Sequence, residues 1–376
     1  MAGLYIHIPF CRRKCVYCAF YSTAAFDDAK VEAYRHALAE EARWFSEHYL
    51  DGRKAALETL YIGGGTPSLL PVDFYVRLIA DLETFFNFSD CREVSFEANP
   101  EHLDYGYLRD LRQYTPVRRL SIGVQSFRDD DLKRLNRCHT GKEAVQAVEN
   151  AWRIGFENLS ADLIYGLWEE GGSVRWKENL ACLEALGLPH FSAYALSLEP
   201  RTRLWKQVEQ GKARMASDEE LELEYRELQC FAKEHGYLLY EISNLAKPGF
   251  EAIHNSNYWR NIPYVGLGAS AHSYWGKERF WNTACLDDYL KDATGAKGRE
   301  VLSEEDVYHE YVMTALRTIG GVKKSKLSGF SESLQQEFRL RVVHEMEAGN
   351  LVEKEDAYVV AEDRRLLTDL IAGTFF

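Results

Sequence analysis

The sequence has neither a long apolar run nor a start that looks like a secretion signal. No window contains the roughly 18 apolar residues that a membrane-spanning helix needs. The first residues do not form a charged segment followed by an apolar stretch and a small-residue cleavage site. We therefore expect a soluble, cytoplasmic protein. A hydrophobic content of 46% in 376 residues is enough for a barrel-sized core with one or two smaller domains.

The sequence also has fewer basic than acidic residues. The chain has 45 Lys and Arg residues against 58 Asp and Glu residues, which gives a net charge of −13. A nucleic-acid partner would attract a basic surface to its phosphates, so this balance argues against one. We expect no nucleic acid among the partners.

Cysteine is ordinary in amount but unusual in placement. Of eight cysteines, three form a C-x3-C-x2-C run at Cys11, Cys15 and Cys18. A disulfide framework would leave one of the three unpaired. A structural zinc site would need a fourth ligand, and the nearest candidates, His7 and Cys91, are poorly spaced for one. Three thiolates can instead hold three irons of a [4Fe–4S] cluster and leave the fourth iron open for chemistry. The remaining cysteines are interpreted as small buried residues.

The first 200 residues alternate between strand-like and helix-like patterns, which predicts a parallel sheet with helical crossovers. Six such units indicate an α/β fold, a partial (βα)6 barrel of the TIM type. Strands are predicted at 4–8, 57–62, 93–96, 119–124, 158–164 and 190–196. Helices are predicted at 28–49, 72–86, 103–114, 142–154 and 173–186.

Polar or glycine-rich segments follow nearly every predicted strand. The carboxyl ends of parallel strands share one face, where ligands of such barrels bind. The glycine run at 63–65 exposes backbone that a ligand can approach closely. Glu97 and Asp162 could accept hydrogen bonds from an amine and hydroxyl groups, and Arg137 could pair with a carboxylate. The alternative for Glu97 and Asp162 is a structural role as paired carboxylates in the core.

Several motifs together resemble one family. The cysteine run with Tyr17 before Cys18, and the segments 5–11, 63–68, 96–100, 123–127, 136–137 and 162–167, are similar to the HemN-like branch of the radical S-adenosylmethionine (SAM) enzymes. This branch includes oxygen-independent coproporphyrinogen III oxidases and heme chaperones. The resemblance implies a [4Fe–4S] cluster on the three cysteines with SAM on the free iron. It implies SAM contacts from Tyr5, Tyr17, Gly64, Gly65, Thr66, Glu97, Gln125, Arg137, Asp162 and Ala195.

Two departures from the oxidase pattern bear on activity. The oxidases of this branch carry a further cysteine two positions after the third, where this chain has Phe20, and an N-terminal extension, where only ten residues precede Cys11. Both departures argue against decarboxylation of coproporphyrinogen III. The expected function is that of a heme chaperone, with heme as cargo, delivering it to membrane hemoproteins such as respiratory cytochromes. The alternative is a radical SAM enzyme that acts on a tetrapyrrole, by decarboxylating coproporphyrinogen III or by methylating or opening heme. A pure interaction module with a vestigial cluster loop is a third class, which the intact SAM motifs disfavour.

The segment 254–259 reads His-Asn-Ser-Asn-Tyr-Trp and matches a motif that the family associates with heme binding. His254 is therefore predicted to be the axial heme ligand, because neutral imidazole binds heme iron well. The alternative is a hydrogen-bonded histidine of the core or surface. Cys138 and His139 form a second candidate heme contact, whose alternative role is to shape the loop that carries Arg137. The sequence leaves open a homodimer, cleavage of SAM, and attachment to the membrane during delivery.

Beyond residue 200 the pattern changes to longer, charged helices and short strands. We expect domains at 1–200, 201–300 and 301–376: the barrel, an α+β segment with the histidine motif, and a small winged-helix-like domain. Helices are predicted at 201–210, 217–234, 304–318, 331–348 and 364–371, and strands at 237–242, 264–274, 351–353 and 357–360. The acidic composition argues that the last domain covers the site or meets a partner rather than binding DNA.

Overall fold

The computed structural model describes residues 2–167, 172–295 and 298–376. Its first half contains the six predicted parallel strands, in the order β1, β2, β4, β5, β6 and β7, with a short β3 paired to β2. This confirms the partial barrel. The strands are β1 (Ala2–Ile8), β2 (Ala55–Gly64), β3 (Phe86–Asn87), β4 (Glu93–Ala98), β5 (Arg119–Gln125), β6 (Asn158–Tyr165) and β7 (His190–Ala195).

Helices cross between these strands at the five predicted places, and one short helix, α4, was not predicted. They are α1 (Asp28–Tyr49), α2 (Val72–Leu82), α3 (Tyr105–Tyr114), α4 (Asp129–Arg134), α5 (Gly141–Ile154) and α6 (Gly172–Ala185), with short 3-10 turns at Pro67–Leu69 and Pro100–His102. Helix α2 is shorter than the predicted 72–86, because the buried Phe86 pairs with Ala55 in the sheet instead. Local signals fix α5, which starts at a Thr140–Glu143 capping box and ends at Gly155 in the left-handed region.

Successive side chains of each barrel strand point to opposite faces of the sheet, so each strand contributes side chains both to the hydrophobic core and to the barrel interior. In β1, Leu4, Ile6 and Ile8 are fully buried in the hydrophobic core. The intervening Tyr5 and His7 lie on the opposite face and bond to each other there. Polar residues can therefore occupy the interior of the barrel without entering the core.

The middle of the chain extends the same sheet at both edges. Strand β10 pairs in parallel with β1, and β9 pairs antiparallel with β7. Its strands are β8 (Leu238–Leu239), β9 (Asn244–Ala246), β10 (Tyr264–Leu267), β11 (His272–Trp275), β12 (Glu278–Trp281) and β13 (Gly298–Val301). Its helices are α7 (Arg203–Glu209), α8 (Asp218–Glu234), α9 (Ile253–Trp259) and α10 (Leu286–Lys291).

Several features of this region differ from the sequence prediction, which had no counterpart for β9, β12, β13 and α10. The single strand predicted at 264–274 is wrong: a turn with Gly268 (φ 106°) and Ser270 (φ 67°) divides it into the antiparallel pair β10 and β11. The strand predicted at 237–242 is reduced to the two residues of β8. Helix α9, which carries the histidine motif, was not predicted. Its seven residues are too few to show a helical period of apolar residues.

The C-terminal segment has its own hydrophobic core, built around residues such as Tyr308, Phe338 and Phe375. The order of elements is that of a winged helix, with a sheet in the order β14, β16, β15. The elements are α11 (Glu304–Leu316), β14 (Val322–Lys323), α12 (Lys324–Leu327), α13 (Glu332–Glu347), β15 (Leu351–Glu353), β16 (Ala357–Val360), a 3-10 helix (Glu362–Leu367) and α14 (Thr368–Gly373). The predicted hairpin is confirmed, whereas the predicted helix 364–371 is part 3-10 and part α.

None of the helices formed by the described residues is both long and apolar enough to cross a bilayer. The positions of the three predicted domain boundaries stay predictions.

Candidate functional site

A cavity of about 660 Å³ opens at the carboxyl ends of the barrel strands, and we call it the cluster cavity. It is lined by twelve of the fourteen predicted site residues. They are Cys11, Cys15, Tyr17, Cys18, Gly64, Gly65, Thr66, Glu97, Gln125, Arg137, Asp162 and Ala195. Tyr5 and His254 do not line it. Because β2, β4, β5, β6, β7 and the cysteine loop that follows β1 all contribute, the cavity is a product of the fold rather than of one loop.

The cysteine loop is tied to the end of β2 by backbone hydrogen bonds. The amide of Gly65 donates to the Ile8 carbonyl at 2.7 Å, and that of Thr66 donates to the Phe10 carbonyl at 2.8 Å. A Cβ at Gly65 would lie 2.8 Å from both carbonyl oxygens, so only glycine fits. These amides therefore bond within the protein and hold the loop. They are not free for a ligand.

The three cysteines suit a [4Fe–4S] cluster better than a single metal ion. All three thiols face one cavity, and the Cys11 thiol lies 3.3 Å from the Thr66 hydroxyl. Among the described residues, no three His, Cys, Asp or Glu side chains are grouped to hold one metal ion. A cubane cluster takes each thiolate on a different iron, so its ligands need not converge on one atom. Burial raises the pKa of the Cys11 and Cys18 thiols, which a bound cluster would reverse.

Two half-buried carboxylates, Glu97 and Asp162, face the cavity from β4 and β6. Glu97 accepts hydrogen bonds from the Tyr61 hydroxyl at 2.7 Å and from the Gly64 amide at 3.0 Å. Burial, together with the nearby charge of Asp162, raises the pKa of Glu97 to about 7 against those hydrogen bonds. Burial likewise raises the pKa of Asp162, which accepts from the Ser121 hydroxyl at 3.2 Å. Both groups would be stabilised as anions by a cationic or hydroxyl-bearing ligand.

Arg137 supplies the positive charge of the cavity. Its Nη2 donates to Asn99 Oδ1 at 2.7 Å and to the Gly123 carbonyl at 2.6 Å, while its Nη1 lies 3.5 Å from Cys15 Sγ. Its Nε is buried and has no hydrogen-bond partner among the described residues. The guanidinium is thus fixed beside the cluster loop with a donor unused, as a carboxylate-binding arginine requires.

Gln125 adds backbone strain to this site. It adopts φ 67° without being glycine, at a register shift near the end of β5. Such a conformation costs on the order of 1–3 kcal/mol and is often found at ligand-binding positions.

His254 lies below the cluster cavity, and its imidazole is only 2% exposed. Its Nδ1 is 2.8 Å from the Thr59 hydroxyl, its Nε2 is 2.9 Å from the Tyr258 hydroxyl, and its ring stacks on Tyr61 at 5.0 Å. Burial lowers the pKa of His254 to about 3, so the ring is neutral. The structure therefore does not present this imidazole to a cavity, although Asn255 of the same helix lines the cluster cavity.

Glu93 holds α9 in this place. Its carboxylate accepts from the amides of Ile253 at 2.8 Å and of His254 at 3.0 Å. Because Glu93 is the first residue of β4, these two hydrogen bonds fix the helix that carries the motif to the amino end of the barrel.

In the second candidate heme contact, Cys138 and His139, the histidine has a structural role. His139 is buried, with Nε2 at 3.0 Å from the Val124 carbonyl and Nδ1 at 3.3 Å from Glu101. It fixes the loop that carries Arg137, as the alternative interpretation had it. Cys138 is exposed.

Several other cavities lie outside the cluster cavity, and two of them concern the site. Tyr5 lines a neighbouring cavity of about 340 Å³. The largest, about 890 Å³, includes Arg118 and Arg119 at the amino end of the barrel and Tyr311 of the C-terminal domain. None of the predicted site residues lines it. Since ligands of parallel barrels bind at the carboxyl ends of the strands, the cluster cavity is the better candidate.

Sequence reasoning missed several residues that complete the site. Tyr61 and Ser121 bond the two carboxylates, and Asn99 orients Arg137. These residues could have been found from the sequence, because side chains two positions apart on a strand lie on the same face. Tyr61 and Ser121 stand two positions before a glycine at the carboxyl end of their strands, and Asn99 follows Glu97 by two positions.

The chain is similar to known proteins along its whole length. Residues 5–171 match the Radical SAM superfamily and residues 302–366 match the HemN C-terminal domain. The heme chaperone HemW of Bacillus subtilis (strain 168) is 33% identical over 383 residues, covering 100% of this chain and 99% of that protein. HemW of Escherichia coli (strain K12) is 30% identical over 394 residues, covering 99% and 97%. The structure of coproporphyrinogen III oxidase HemN from Escherichia coli has the same fold, with a TM-score of 0.84 at 23% identity, covering 100% of this chain and 89% of that one.

Proposed function

Because the chain belongs to the HemN-like radical SAM family, we propose that it is a heme chaperone. In this proposal it binds heme and delivers it to membrane hemoproteins such as respiratory cytochromes. The observation that carries the proposal is the likeness to heme chaperones HemW along the whole chain, through both the barrel and the C-terminal domain.

The cluster cavity supports binding of a [4Fe–4S] cluster and SAM. Cys11, Cys15 and Cys18 would hold the cluster, and the guanidinium of Arg137 would pair with the SAM carboxylate. Glu97 and Asp162 would accept the SAM amine and ribose hydroxyls, with the other lining residues around them. A cluster held by these cysteines would provide one-electron reduction chemistry. The chain's own residues bind and orient the two groups.

The heme site needs a separate proposal, because the contacts of His254 do not support iron ligation. Both ring nitrogens already have partners, and the ring would have to leave Thr59 and Tyr258 to reach a ligand. Ligation by His254 stays a prediction. Its contacts favour a role in positioning Tyr258.

The test is an anaerobic heme titration of the cluster-reconstituted protein, followed by optical absorbance. Saturable binding of one heme per chain is expected. The loaded protein is then mixed with membrane vesicles that contain a heme-free cytochrome, and free heme at the same concentration is the control. Faster or more complete cytochrome reconstitution from the loaded protein is expected, whereas absence of saturable binding would overturn the proposal.

The place and assembly of this activity are part of the proposal. Delivery would occur from the cytoplasmic side, with attachment to the membrane only during transfer, and a homodimer is the assembly to test. Co-sedimentation with vesicles, with and without bound heme, and light scattering of the loaded protein measure these two points.

A radical SAM enzyme that acts on a tetrapyrrole is the second candidate. The observation that favours it is the set of polar groups around the cysteines, which includes Glu97, Asp162 and Arg137. Under reducing, anaerobic conditions this enzyme would form 5′-deoxyadenosine from SAM in proportion to a modified tetrapyrrole. Formation of neither product would exclude this candidate and leave the heme titration as the decisive test.

A further inference from the structure

The cavity of about 340 Å³ beside the cluster cavity has walls made mostly of aromatic rings, and we call it the aromatic cavity. It shares Ala19 and Phe20 of the cysteine loop with the cluster cavity. Its other walls are Tyr5, His7, Tyr21, Tyr258, Tyr264, Ser270, Ala271 and His272. One short stretch of chain therefore separates the two cavities.

The rings suit a flat, apolar ligand. Tyr258 and Tyr264 meet edge to face at 4.6 Å, and Phe20 stands at the rim with 71% of its surface exposed. Aromatic walls with one open side favour a planar ring system held on part of its face. A volume of about 340 Å³ is at the lower end for small-molecule sites, so much of a tetrapyrrole would remain outside. Partial enclosure is suited to cargo that must leave again.

Two histidines line the aromatic cavity, and only one has free ring nitrogens. His7 is buried, with Nδ1 at 3.0 Å from the Tyr5 hydroxyl and Nε2 at 3.0 Å from the Tyr21 carbonyl. His272 is exposed, and its ring nitrogens make no hydrogen bond or ion pair within the described ranges. Its ring only stacks on Trp281, at 5.8 Å. His272 is therefore the imidazole in this cavity that can accept a metal.

The protonation state of His272 fits that role. Desolvation of the ring, with a smaller effect from the positive charge of Arg279, lowers its pKa below the usual value. The lowered pKa favours the uncharged ring, the form that coordinates heme iron.

The backbone holds His272 in a fixed place. The preceding turn is anchored by hydrogen bonds from the Gly268 amide to Glu41 at 2.8 Å and from the Ala269 amide to the Tyr34 hydroxyl at 3.1 Å. Ser270 in the same turn has φ 67°, and His272 itself pairs with Trp281 between β11 and β12. A ligand fixed in this way loses little conformational entropy when it binds.

The histidine motif meets the aromatic cavity from the other side. Tyr258 forms one wall, and its hydroxyl is 2.9 Å from His254 Nε2. His254 therefore acts on this cavity through the tyrosine that it orients.

The geometry points to His272 as the axial ligand of heme in the aromatic cavity, with His254 as a positioning residue that fixes Tyr258. This inference rests on the proposed heme chaperone function and assigns its site. The heme then lies next to the cluster cavity, with only Ala19 and Phe20 between the two.

The test compares anaerobic hemin titrations of the full, cluster-reconstituted chain. The variants are His272→Ala, His254→Ala and, as matched control, His344→Ala, which removes an exposed histidine of the C-terminal domain. His272→Ala is expected to lose the absorbance and electron paramagnetic resonance signals of histidine-ligated heme, with affinity at least tenfold weaker. His254→Ala, where it retains its cluster, is expected to keep histidine ligation at reduced affinity.

A His272→Gly variant guards against indirect effects. Added imidazole is expected to restore the histidine-ligated spectrum in this variant. Unchanged spectra and affinity in His272→Ala, with a normal iron content, would overturn the assignment while leaving the chaperone proposal standing. Failure of the unaltered protein to bind hemin would overturn both.

Discussion

The two ends of the barrel interior treat buried polar groups differently. At the carboxyl end, desolvation raises the pKa values of the half-buried Glu97 and Asp162, and the Nε of Arg137 has no hydrogen-bond partner among the described residues. At the amino end, the imidazole of His254 has a partner at each nitrogen, and Glu93 accepts two amides of the same helix.

This difference distinguishes residues that would bind a ligand from residues that stabilise the fold. A buried polar group that is left partly unsatisfied costs free energy, and a protein retains it where a ligand will complete it. A buried polar group with all of its partners stabilises one arrangement of the chain. Residue type alone does not show which case applies, since both ends contain carboxylates and aromatic hydroxyls.

The largest expected effect is at the carboxyl end. Cys15→Ser should remove nearly all cluster iron, because a three-thiolate site has no spare ligand. Iron and sulfide content per chain after reconstitution measure this. Cys91→Ser is the control, since that thiol donates to the Glu93 carbonyl at 3.3 Å, outside the cluster cavity. Equal iron contents in the two variants would contradict the site.

At the amino end the expected effect is on stability. Glu93→Ala should lower the free energy of unfolding by roughly 3–5 kcal/mol, because it leaves the Ile253 and His254 amides and the Ser95 hydroxyl without their acceptor. Urea denaturation measures this loss against Glu40→Ala, a change at an exposed position of α1. If Glu93→Ala kept its stability but lost the cluster, the distinction between a ligand-binding carboxyl end and a stabilising amino end would be wrong.

The two ends should also respond to pH in opposite directions. The pKa of Glu97 is raised from 4.5 to about 7, so the stability it contributes is present below pH 4.5 and is lost, by about 3 kcal/mol, as the pH rises to 7. The pKa of His254 is lowered from 6.5 to about 3. Its contribution is present above pH 6.5 and is lost as the pH falls, by about 2 kcal/mol at pH 5.

Urea denaturation of the cluster-free protein between pH 5 and 7 measures both slopes. Glu97→Gln should remove the loss at higher pH, and His254→Gln should remove the loss at lower pH. Variants that shift the pH profile in the same direction would refute the assigned environments.

The smallest expected effect concerns the role of Arg137 in SAM binding. Arg137→Lys keeps the charge but loses the planar guanidinium, so SAM affinity should fall about tenfold. Calorimetric titration of the cluster-loaded protein with SAM measures it. Arg12→Lys, an exposed position of the same loop, should leave the affinity unchanged. An equal loss in both would indicate a general effect of charge on the loop.

The barrel and the cluster cavity were predictable because their signals are local. Apolar runs marked the six strands, and the polar residues that follow them had to meet at one edge of a parallel sheet. The place of the histidine motif was not predictable in this way. His254 is fixed by Thr59 and Glu93, which are 195 and 161 residues away along the chain. The motif indicated a ligand, whereas these long-range contacts make the ring part of the floor of the barrel.

The pairing of β1 has a consequence for the order of events during synthesis. The strand leads directly into the cysteine loop and pairs with β2 on one side and with β10, Tyr264–Leu267, on the other. While the ribosome is still making the middle of the chain, β1 has one open edge, the kind of edge that associates with other chains. The cysteines emerge before β10 does, and the strand that supports them is completed only after β10 follows. Cluster insertion into a finished site therefore awaits the synthesis of β10.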